Sequence, residues 1–237
     1  MSLRGDVCDL CLIHDFCDRF LTRTATTELM TILNKLASAL NRRDEIPNQA
    51  LAQEIVRTSD KDAIGELVKN LCNKNKNIQS DCIKVLYEIG ERKPDLIAAY
   101  HKEFGKLLES DNNRLAWGVM TALDAIALRE PKAVRGLLPK ILATADKGSV
   151  ITRDHAVGIL VKLGSLKQYA GHCFPLLIGQ LTTCPHNQLP MYAEMSAGVA
   201  TGENRKALHK ILTKRLPGLE KESQKKRVSR VLKRLMN

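Results

Sequence analysis

Apolar residues recur along the middle of the chain at the spacing of one helix face. Three segments carry an apolar or small residue at positions i, i+4 and i+7: Cys82, Leu86 and Ile89; Val119, Leu123 and Ile126; and Ala156, Leu160 and Leu163. Residues spaced in this way lie on a single stripe of an α-helix. The pattern therefore predicts three amphipathic helices.

These three segments are copies of one another, displaced by 37 residues. The same shift carries Leu86 onto Leu123 and then onto Leu160, and it carries Pro94 onto Pro131. A further shift reaches mainly small residues, so a fourth copy is present but weaker. A repeat of this length is typical of helical arrays, in which each unit buries its apolar face only against its neighbours. The alternative is a non-repetitive helical bundle whose segments are similar by chance.

A second apolar stripe precedes each of these helices. The preceding stripes are Ile64, Leu67, Val68 and Leu71; Phe104, Leu107 and Leu108; Leu137, Leu138, Ile141 and Leu142; and Leu176, Leu177 and Leu181. Turn-forming residues separate the two stripes of each pair, at Asn73–Asn77, Ser110–Asn113, Asp146–Ser149 and Cys184–Asn187. The repeating unit is therefore a pair of helices joined by a turn, and the predicted fold class is all-α.

The third helix pair resembles a HEAT repeat. Proteins built from HEAT repeats form an armadillo-like α-solenoid family. The resemblance rests on Leu137, Pro139, Ile141 and Leu142, then Asp146, then Ile151, Thr152 and Arg153, and finally Ala156, Leu160 and Gly164. The family has a proline in the first helix, matched by Pro139 and Pro175, an aspartate in the turn, and a Val-Arg pair opening the second helix. The resemblance covers residues 60–237 and implies a right-handed α-α superhelix of stacked HEAT-like helical hairpins.

The resemblance also implies a structural role for two residues. It assigns Asp146 and Arg153 to a hydrogen-bonded ladder between neighbouring repeats. The Val-Arg pair is missing from the earlier copies, where the corresponding residues are Ile78 and Gln79, and Leu115 and Ala116. Motifs as degenerate as these specify a fold far better than a function.

Residues 1–59 follow the repeat less closely. Three helical segments are predicted there: Leu10, Ile13, Cys17, Phe20 and Leu21; Leu29, Ile32, Leu33, Leu36 and Leu40; and Leu51, Ile55 and Val56 after Pro47. We therefore predict an N-terminal helical cap or divergent repeat over residues 1–59. One continuous solenoid follows over residues 60–237, with about four helix pairs and a basic C-terminal helix.

Composition narrows the class of protein further. The chain has 237 residues, of which 44% are hydrophobic and 4% aromatic. Its apolar runs are far shorter than the ~18–20 residues that cross a membrane, and its first residues do not resemble a secretory signal. Seven cysteines, an odd number, are unlike a secreted disulfide framework. We therefore expect reduced thiols, no membrane span and a cytoplasmic location.

Positive charge is concentrated at the C-terminal end. Residues 201–237 contain 12 Lys and Arg against 3 Asp and Glu, within a chain of net charge +11. The candidate anion- or partner-binding residues are Arg205, Lys206, Lys210, Lys214, Arg215, Lys225, Lys226, Arg227, Arg230, Lys233 and Arg234. Such a region either binds an anionic partner or is a solvated surface. It contains no aromatic residue, which favours contact with a nucleic-acid duplex backbone or an acidic protein over stacking on single-stranded bases.

Two groups of cysteine and histidine residues are candidates for chemistry. Cys8, Cys11, His14 and Cys17 are metal-ligand types within ten residues. On a continuous helix, however, they would spread over ~13.5 Å and could not meet at one ion, so buried thiols are favoured over a metal site or a redox pair. His172, Cys173, Cys184 and His186 form a looser group without an orienting third residue.

No phosphate-binding loop, dinucleotide motif or hydrolase motif occurs in the sequence. We therefore expect no catalytic residue, no cofactor and no enzymatic activity. The leading hypothesis is a non-enzymatic HEAT-repeat scaffold that binds a protein partner through a concave face built by the second helices. Candidate residues for that face are Lys84, Glu88, Thr121, Asp124 and Lys162.

Two alternatives remain open. The first is a nucleic-acid-binding protein that uses the basic C-terminal region. The second is DNA glycosylase activity, which one HEAT-like family carries out in a solenoid groove. Trp117 and Asp124 would be the candidate residues for that activity, although this chain has few aromatic residues to line such a groove.

Overall fold

The computed structural model describes residues 31–236. Regular structure in this range is helical, with twelve α-helices and no strand: α1 (Ile46–Thr58), α2 (Lys61–Lys69), α3 (Lys76–Arg92), α4 (His101–Lys106), α5 (Asn113–Ile126), α6 (Pro131–Gly136), α7 (Leu138–Lys147), α8 (Val150–Gly164), α9 (Lys167–Thr183), α10 (Leu189–Ala197), α11 (Gly202–Arg215) and α12 (Glu222–Met236). None of the helices in the described range is long and apolar enough to cross a membrane.

The 37-residue repeat appears in the helix boundaries themselves. The helices α3, α5 and α8 begin at Lys76, Asn113 and Val150, which are 37 residues apart. All nine residues of the three predicted stripes are buried, each with 0% exposure. The predicted helices and their core faces are therefore confirmed.

The starts of these helices are capped at the same position of each repeat. The side chains of Asn75, Asn112 and Ser149 accept hydrogen bonds from backbone N–H groups in the first turns of α3, α5 and α8. Asn and Ser are strong N-cap residues because their side-chain oxygens satisfy amides that have no partner within the helix. The polar turns of the sequence thus stop one helix and start the next.

The chain divides into two compact units between Arg129 and Glu130. In the first unit, α3 packs against both α1 and α5, while α2 and α4 pack against the helices that follow them. In the second unit, α8 packs on α7 and α9, and α12 packs on α10 and α11. The predicted boundary at residue 59 between a cap and a solenoid remains a prediction.

Buried amide side chains link neighbouring repeats in the first unit. Besides capping α5, the Asn112 Nδ2 donates to the Lys76 carbonyl oxygen at 3.2 Å and to Gln79 Oε1 at 2.9 Å. The side chain of Asn48 in α1 similarly donates to Asp81 Oδ1 in α3 at 2.8 Å. Because buried amides without partners are costly, these bonds fix how one repeat sits against the next.

The helix predicted from the stripe between Leu29 and Leu40 does not form within the residues that the structure describes. A single 3₁₀ turn spans Ile32–Lys35, and the chain then leaves the helix. Asn48 Oδ1 accepts from the Ala37 N–H at 3.0 Å, and Asp81 Oδ2 accepts from the Ser38 N–H at 2.7 Å. These side chains bind the amides that a longer helix would have used, so tertiary contacts override the local pattern.

The third repeat also differs from its predicted outline. Its first helix is divided into α6 and α7, with Leu137 between them and Pro139 in the first turn of α7. A proline is tolerated there because the first amides of a helix have no partner within it. The helix α7 continues through Asp146, which the sequence pattern places in the turn.

Two second helices of the first unit approach each other closely at a glycine. A Cβ atom added to Gly118 in α5 would lie 2.8 Å from Cγ1 and 2.9 Å from Cγ2 of Ile83 in α3. Ile83 is itself buried, at 1% exposure, so it has little room to move. Gly118 therefore allows α3 and α5 to pack at this distance.

We expect Gly118→Ala to destabilise the protein by about 1–3 kcal/mol, because the added methyl group overpacks the helix interface. Chemical denaturation of the full chain measures this change in the free energy of unfolding. In the double variant with Ile83→Ala, the atoms that collide are gone, so the combined cost should be less than the sum of the single costs.

A matched control is Gly179→Ala in α9, where an added Cβ meets no atom within 4 Å. This substitution should instead stabilise the protein by about 0.5–1 kcal/mol, the ordinary helix preference of Ala over Gly. Equal effects of the two substitutions would contradict the close contact at Gly118.

Candidate functional site

An aromatic pair lies across the second helices of the first unit. The rings of Tyr87 in α3 and Trp117 in α5 have centroids 5.6 Å apart and are tilted by 46°. Tyr87 is buried, whereas Trp117 is partly exposed. Trp117 is the single tryptophan of the chain. Trp117 therefore stays partly exposed while its ring packs against the buried Tyr87.

A chain of ion pairs runs beside this aromatic pair. Lys84 Nζ lies 2.7 Å from Glu45 Oε2 and 2.8 Å from Glu88 Oε1, and it is 4.8 Å from the centroid of the Tyr87 ring. Glu88 also pairs with Arg92. The side chains of Lys84 and Glu88 are only 11% and 9% exposed, whereas that of Glu45 is 59% exposed. We call Glu45, Lys84, Tyr87, Glu88 and Trp117 the aromatic face.

Burial and pairing act in opposite directions on the charges of this face. Burial favours the neutral carboxyl of Glu88, but hydrogen bonds from Lys84 and Arg92 outweigh it and lower its pKa below the ordinary value. Burial likewise opposes the charge of Lys84, while its bonds to Glu45 and Glu88 raise its pKa. Burial raises the pKa of Tyr87. Lys84 and Glu88 therefore stay charged at neutral pH.

The five residues predicted for a concave face do not all join this arrangement. Lys84 and Glu88 form its ion pairs. Thr121 is buried, and its Oγ1 donates to the Trp117 carbonyl oxygen at 3.0 Å within α5. Asp124 is partly exposed two turns beyond Trp117, and Lys162 is partly exposed in α8 of the second unit.

Sequence reasoning missed two members of the aromatic face. Tyr87 follows Lys84 by three residues, which places both on one side of α3. That spacing could have identified Tyr87 as a neighbour of Lys84 from the sequence. The sequence contains no signal for Glu45, because this residue immediately precedes α1 and reaches Lys84 only through the packing of α1 against α3.

The basic residues of the second unit fall into two sets. Arg215 donates to the carbonyl oxygens of Leu181, Thr182 and Cys184, and so satisfies the C-terminal end of α9. Arg227 pairs with Glu194, which lowers the pKa of that carboxyl. Lys206 and Lys225 pair with acidic residues one turn earlier in their own helices.

The other predicted cations point into solvent. Arg205, Lys210, Lys214, Lys226, Arg230, Lys233 and Arg234 are exposed, and no ion pair within residues 31–236 involves them. The structure thus separates cations used for packing from cations available to a partner. Arg215 belongs to the first kind, which its sequence position did not indicate.

The predicted ladder of Asp146 and Arg153 remains a prediction. Asp146 is exposed in the last turn of α7, and Arg153 is partly exposed in the first turn of α8. Another contact links the repeats of this unit: Tyr192 in α10 donates its hydroxyl to Asp154 Oδ1 in α8 at 2.6 Å. Burial and this bond raise the pKa of Tyr192, so the hydroxyl stays protonated as a donor.

The cysteine and histidine candidates show no arrangement for nucleophilic chemistry. Cys173 and Cys184 are buried, and burial raises the pKa of both thiols, whereas His172 and His186 are exposed. A protonated thiol is a poor nucleophile. No cluster of His, Cys, Asp and Glu suited to a metal ion is found in the described range of the chain. Cys8, Cys11, His14 and Cys17 lie outside it.

The geometry defines an array of paired helices, and comparison with known proteins agrees. No protein-family model matches the chain, and no curated protein matches it in sequence. Among solved structures, a designed armadillo repeat protein in complex with the peptide (KR)4 is similar, with a TM-score of 0.65 and 17% identity over 93% of this chain and 98% of that chain.

Two further solved structures are similar. A computationally designed armadillo repeat protein for modular peptide recognition matches with a TM-score of 0.63 and 15% identity, over 95% of this chain and 99% of that chain. An engineered protein matches with a TM-score of 0.57 and 19% identity, over 86% and 96%. The chain therefore has an armadillo- and HEAT-like helical repeat fold, as the sequence predicted.

The lowered pKa of Glu88 gives a testable dependence of stability on pH. A carboxyl whose pKa is lower in the folded state stabilises the protein above its ordinary pKa of 4.5, and this contribution is lost as the pH falls through the folded-state value. Glu88→Gln should therefore be less stable than the wild type at about pH 7, and this difference should shrink at about pH 3.

Urea denaturation at the two pH values measures this difference in the free energy of unfolding. Glu91→Gln is the matched control, because Glu91 is an exposed residue of the same helix and makes no ion pair in the described range. It should have little effect at either pH. If Glu88→Gln lowered the free energy of unfolding equally at both pH values, the proposed stabilisation by the paired Glu88 carboxylate would be wrong.

Proposed function

We propose that this protein is a non-enzymatic repeat scaffold that binds an extended segment of a protein partner on the aromatic face. The observation that carries the proposal is the partly exposed Trp117, held against Tyr87 on two adjacent second helices. Tryptophan and tyrosine are enriched among the residues that dominate binding energy at protein interfaces. Helical repeat arrays offer such surfaces along successive units.

The ion pairs beside the aromatic pair support the same role. Because Glu45 and Glu88 hold Lys84 beside the Tyr87 ring, the ammonium needs little rearrangement when a partner binds. The exposed carboxylate of Glu45 is available to a hydrogen-bond donor or a cation on the partner. We therefore expect a segment with an apolar side chain for Trp117 and a donor group for Glu45.

Similar proteins provide further support. A designed armadillo repeat protein of similar fold is in complex with the peptide (KR)4, which supports peptide binding by a fold of this kind. The proposal requires neither a cofactor nor a catalytic group. We also propose a cytoplasmic location, as expected from the cysteine content. DNA glycosylase activity is the alternative that the sequence analysis left open.

The test uses the full chain to select peptides from a displayed random library, followed by affinity measurement. Since Trp117 is the single tryptophan, its fluorescence reports on this face alone. We expect selected peptides to change the emission of Trp117. Trp117→Ala, measured by calorimetry, should weaken their binding by about tenfold or more.

The matched control is Tyr100→Ala, which removes another partly exposed aromatic residue of the same unit, at the start of α4. It should leave peptide affinity unchanged. Glu45→Ala provides a second variant, at the exposed carboxylate of the aromatic face. It should weaken the binding of peptides that carry basic residues. If no peptide is selected, or if selected peptides bind Trp117→Ala as tightly as the wild type, the proposal is wrong.

A further inference from the structure

A basic groove lies along the last helix of the second unit. A cavity of ≈490 Å³ is open to solvent and is lined by Leu216, Glu222, Lys225, Lys226, Ser229, Arg230 and Lys233. Four of these seven residues are cations and one is an acid. We call this surface the α12 groove.

The charges of the α12 groove are only partly neutralised. Lys225 pairs with Glu222 at 3.0 Å. Lys226, Arg230 and Lys233 are exposed and take part in no ion pair anywhere in residues 31–236. The residues that line the groove thus carry a net charge of +3, and beyond them Arg230 interacts electrostatically with the Glu194 carboxylate, which is itself paired with Arg227.

These three cations form a regular row. They stand at positions i, i+4 and i+7 of α12, which places them on one side of the helix at steps of about 6 Å and about 4.5 Å along its axis. The opposite side of α12 is anchored, because Val228, Val231 and Leu235 are buried. The row is consequently held on a fixed helix and not on a mobile tail, which lowers the entropic cost of binding.

The composition of the lining distinguishes between anionic partners. Protein interfaces have an apolar core enriched in aromatic residues, and the α12 groove offers only Leu216. Interfaces with nucleic acid are more polar and far more positive. Residues 201–237 also contain no aromatic side chain on which an unpaired base could stack. A duplex backbone fits this surface better than an acidic protein or a single strand.

A lipid surface fits less well. Amphipathic helices that bind membranes insert their apolar face, and the apolar face of α12 is already buried against the protein. The geometry points to the α12 groove as a binding site for the phosphate backbone of a nucleic-acid duplex, with Lys226, Arg230 and Lys233 each contacting a phosphate. This function is separate from the peptide binding proposed for the aromatic face.

The test measures binding of the full chain to a fluorescein-labelled DNA duplex of about 20 base pairs, by anisotropy over a range of salt concentrations. The groove variant carries Lys226→Gln, Arg230→Gln and Lys233→Gln. If each residue contacts one phosphate, the slope of log affinity against log salt should fall by about 3, at ~0.9 per contact, and the affinity at low salt should fall with it.

The matched control carries Lys132→Gln, Lys140→Gln and Lys167→Gln. These are three exposed lysines of the same unit, so both variants lose the same net charge. The control should keep the wild-type slope. Equal losses in the two variants would mean that only the overall charge attracts the duplex, and they would overturn the proposal.

A variant expected to bind more tightly provides a further test, because misfolding would weaken binding and could not produce a gain in affinity. Glu222→Gln removes the one carboxylate of the α12 groove and releases Lys225 from its ion pair. We expect tighter duplex binding and a salt slope about 1 larger, because a fourth cation becomes available to a phosphate. Unchanged or weaker binding of this variant would argue against the groove.

Two competitors identify the class of ligand. Polyglutamate, or vesicles of phosphatidylserine, displacing the duplex at equal charge concentration would overturn the choice of nucleic acid in favour of an acidic protein or a membrane. Trp117→Ala should bind the duplex like the wild type, so failure of the peptide proposal and failure of this one can be told apart.

Discussion

Each repeat of this protein has an apolar stripe on its second helix that only a neighbouring helix can bury. In the first unit this constraint brings α3 between α1 and α5, and the contact of Gly118 with Ile83 sets how closely α3 and α5 approach. The remaining arrangement depends on that distance. Tyr87 lies one turn beyond Ile83 in α3 and Trp117 adjoins Gly118 in α5, so the close approach of these two helices also brings the two aromatic rings together.

Hydrogen bonds from buried amides then select one register among several that apolar packing would allow. Leucine and isoleucine stripes tolerate small shifts of one helix along another, whereas Asn112 must reach both its own helix start and the preceding repeat. The bond from Asn48 to Asp81 has the same role between α1 and α3. The residues of the aromatic face, which lie on or against these helices, are thereby fixed relative to one another.

Much of this architecture could be predicted from the sequence, because its signals are local. The spacing of Leu86, Leu123 and Leu160 encodes both the helix period and the repeat length, and the cluster of Lys and Arg near the end of the chain marked α12. What escaped prediction depends on contacts between distant residues. Nothing local to Arg215 indicates that its guanidinium closes the end of α9, and Glu45 meets Lys84 only once α1 has packed on α3.

The helix starts at Asn75, Asn112 and Ser149 use side chains that do not ionise between acid and neutral pH. The hydrogen bonds that begin the second helices of successive repeats are therefore indifferent to proton concentration. By contrast, the polar side chains of the aromatic face are joined through carboxylates. Acidification thus acts on the surface that would meet a partner and leaves the capping of the helices beneath it untouched, so a loosened binding surface does not require an unwound repeat.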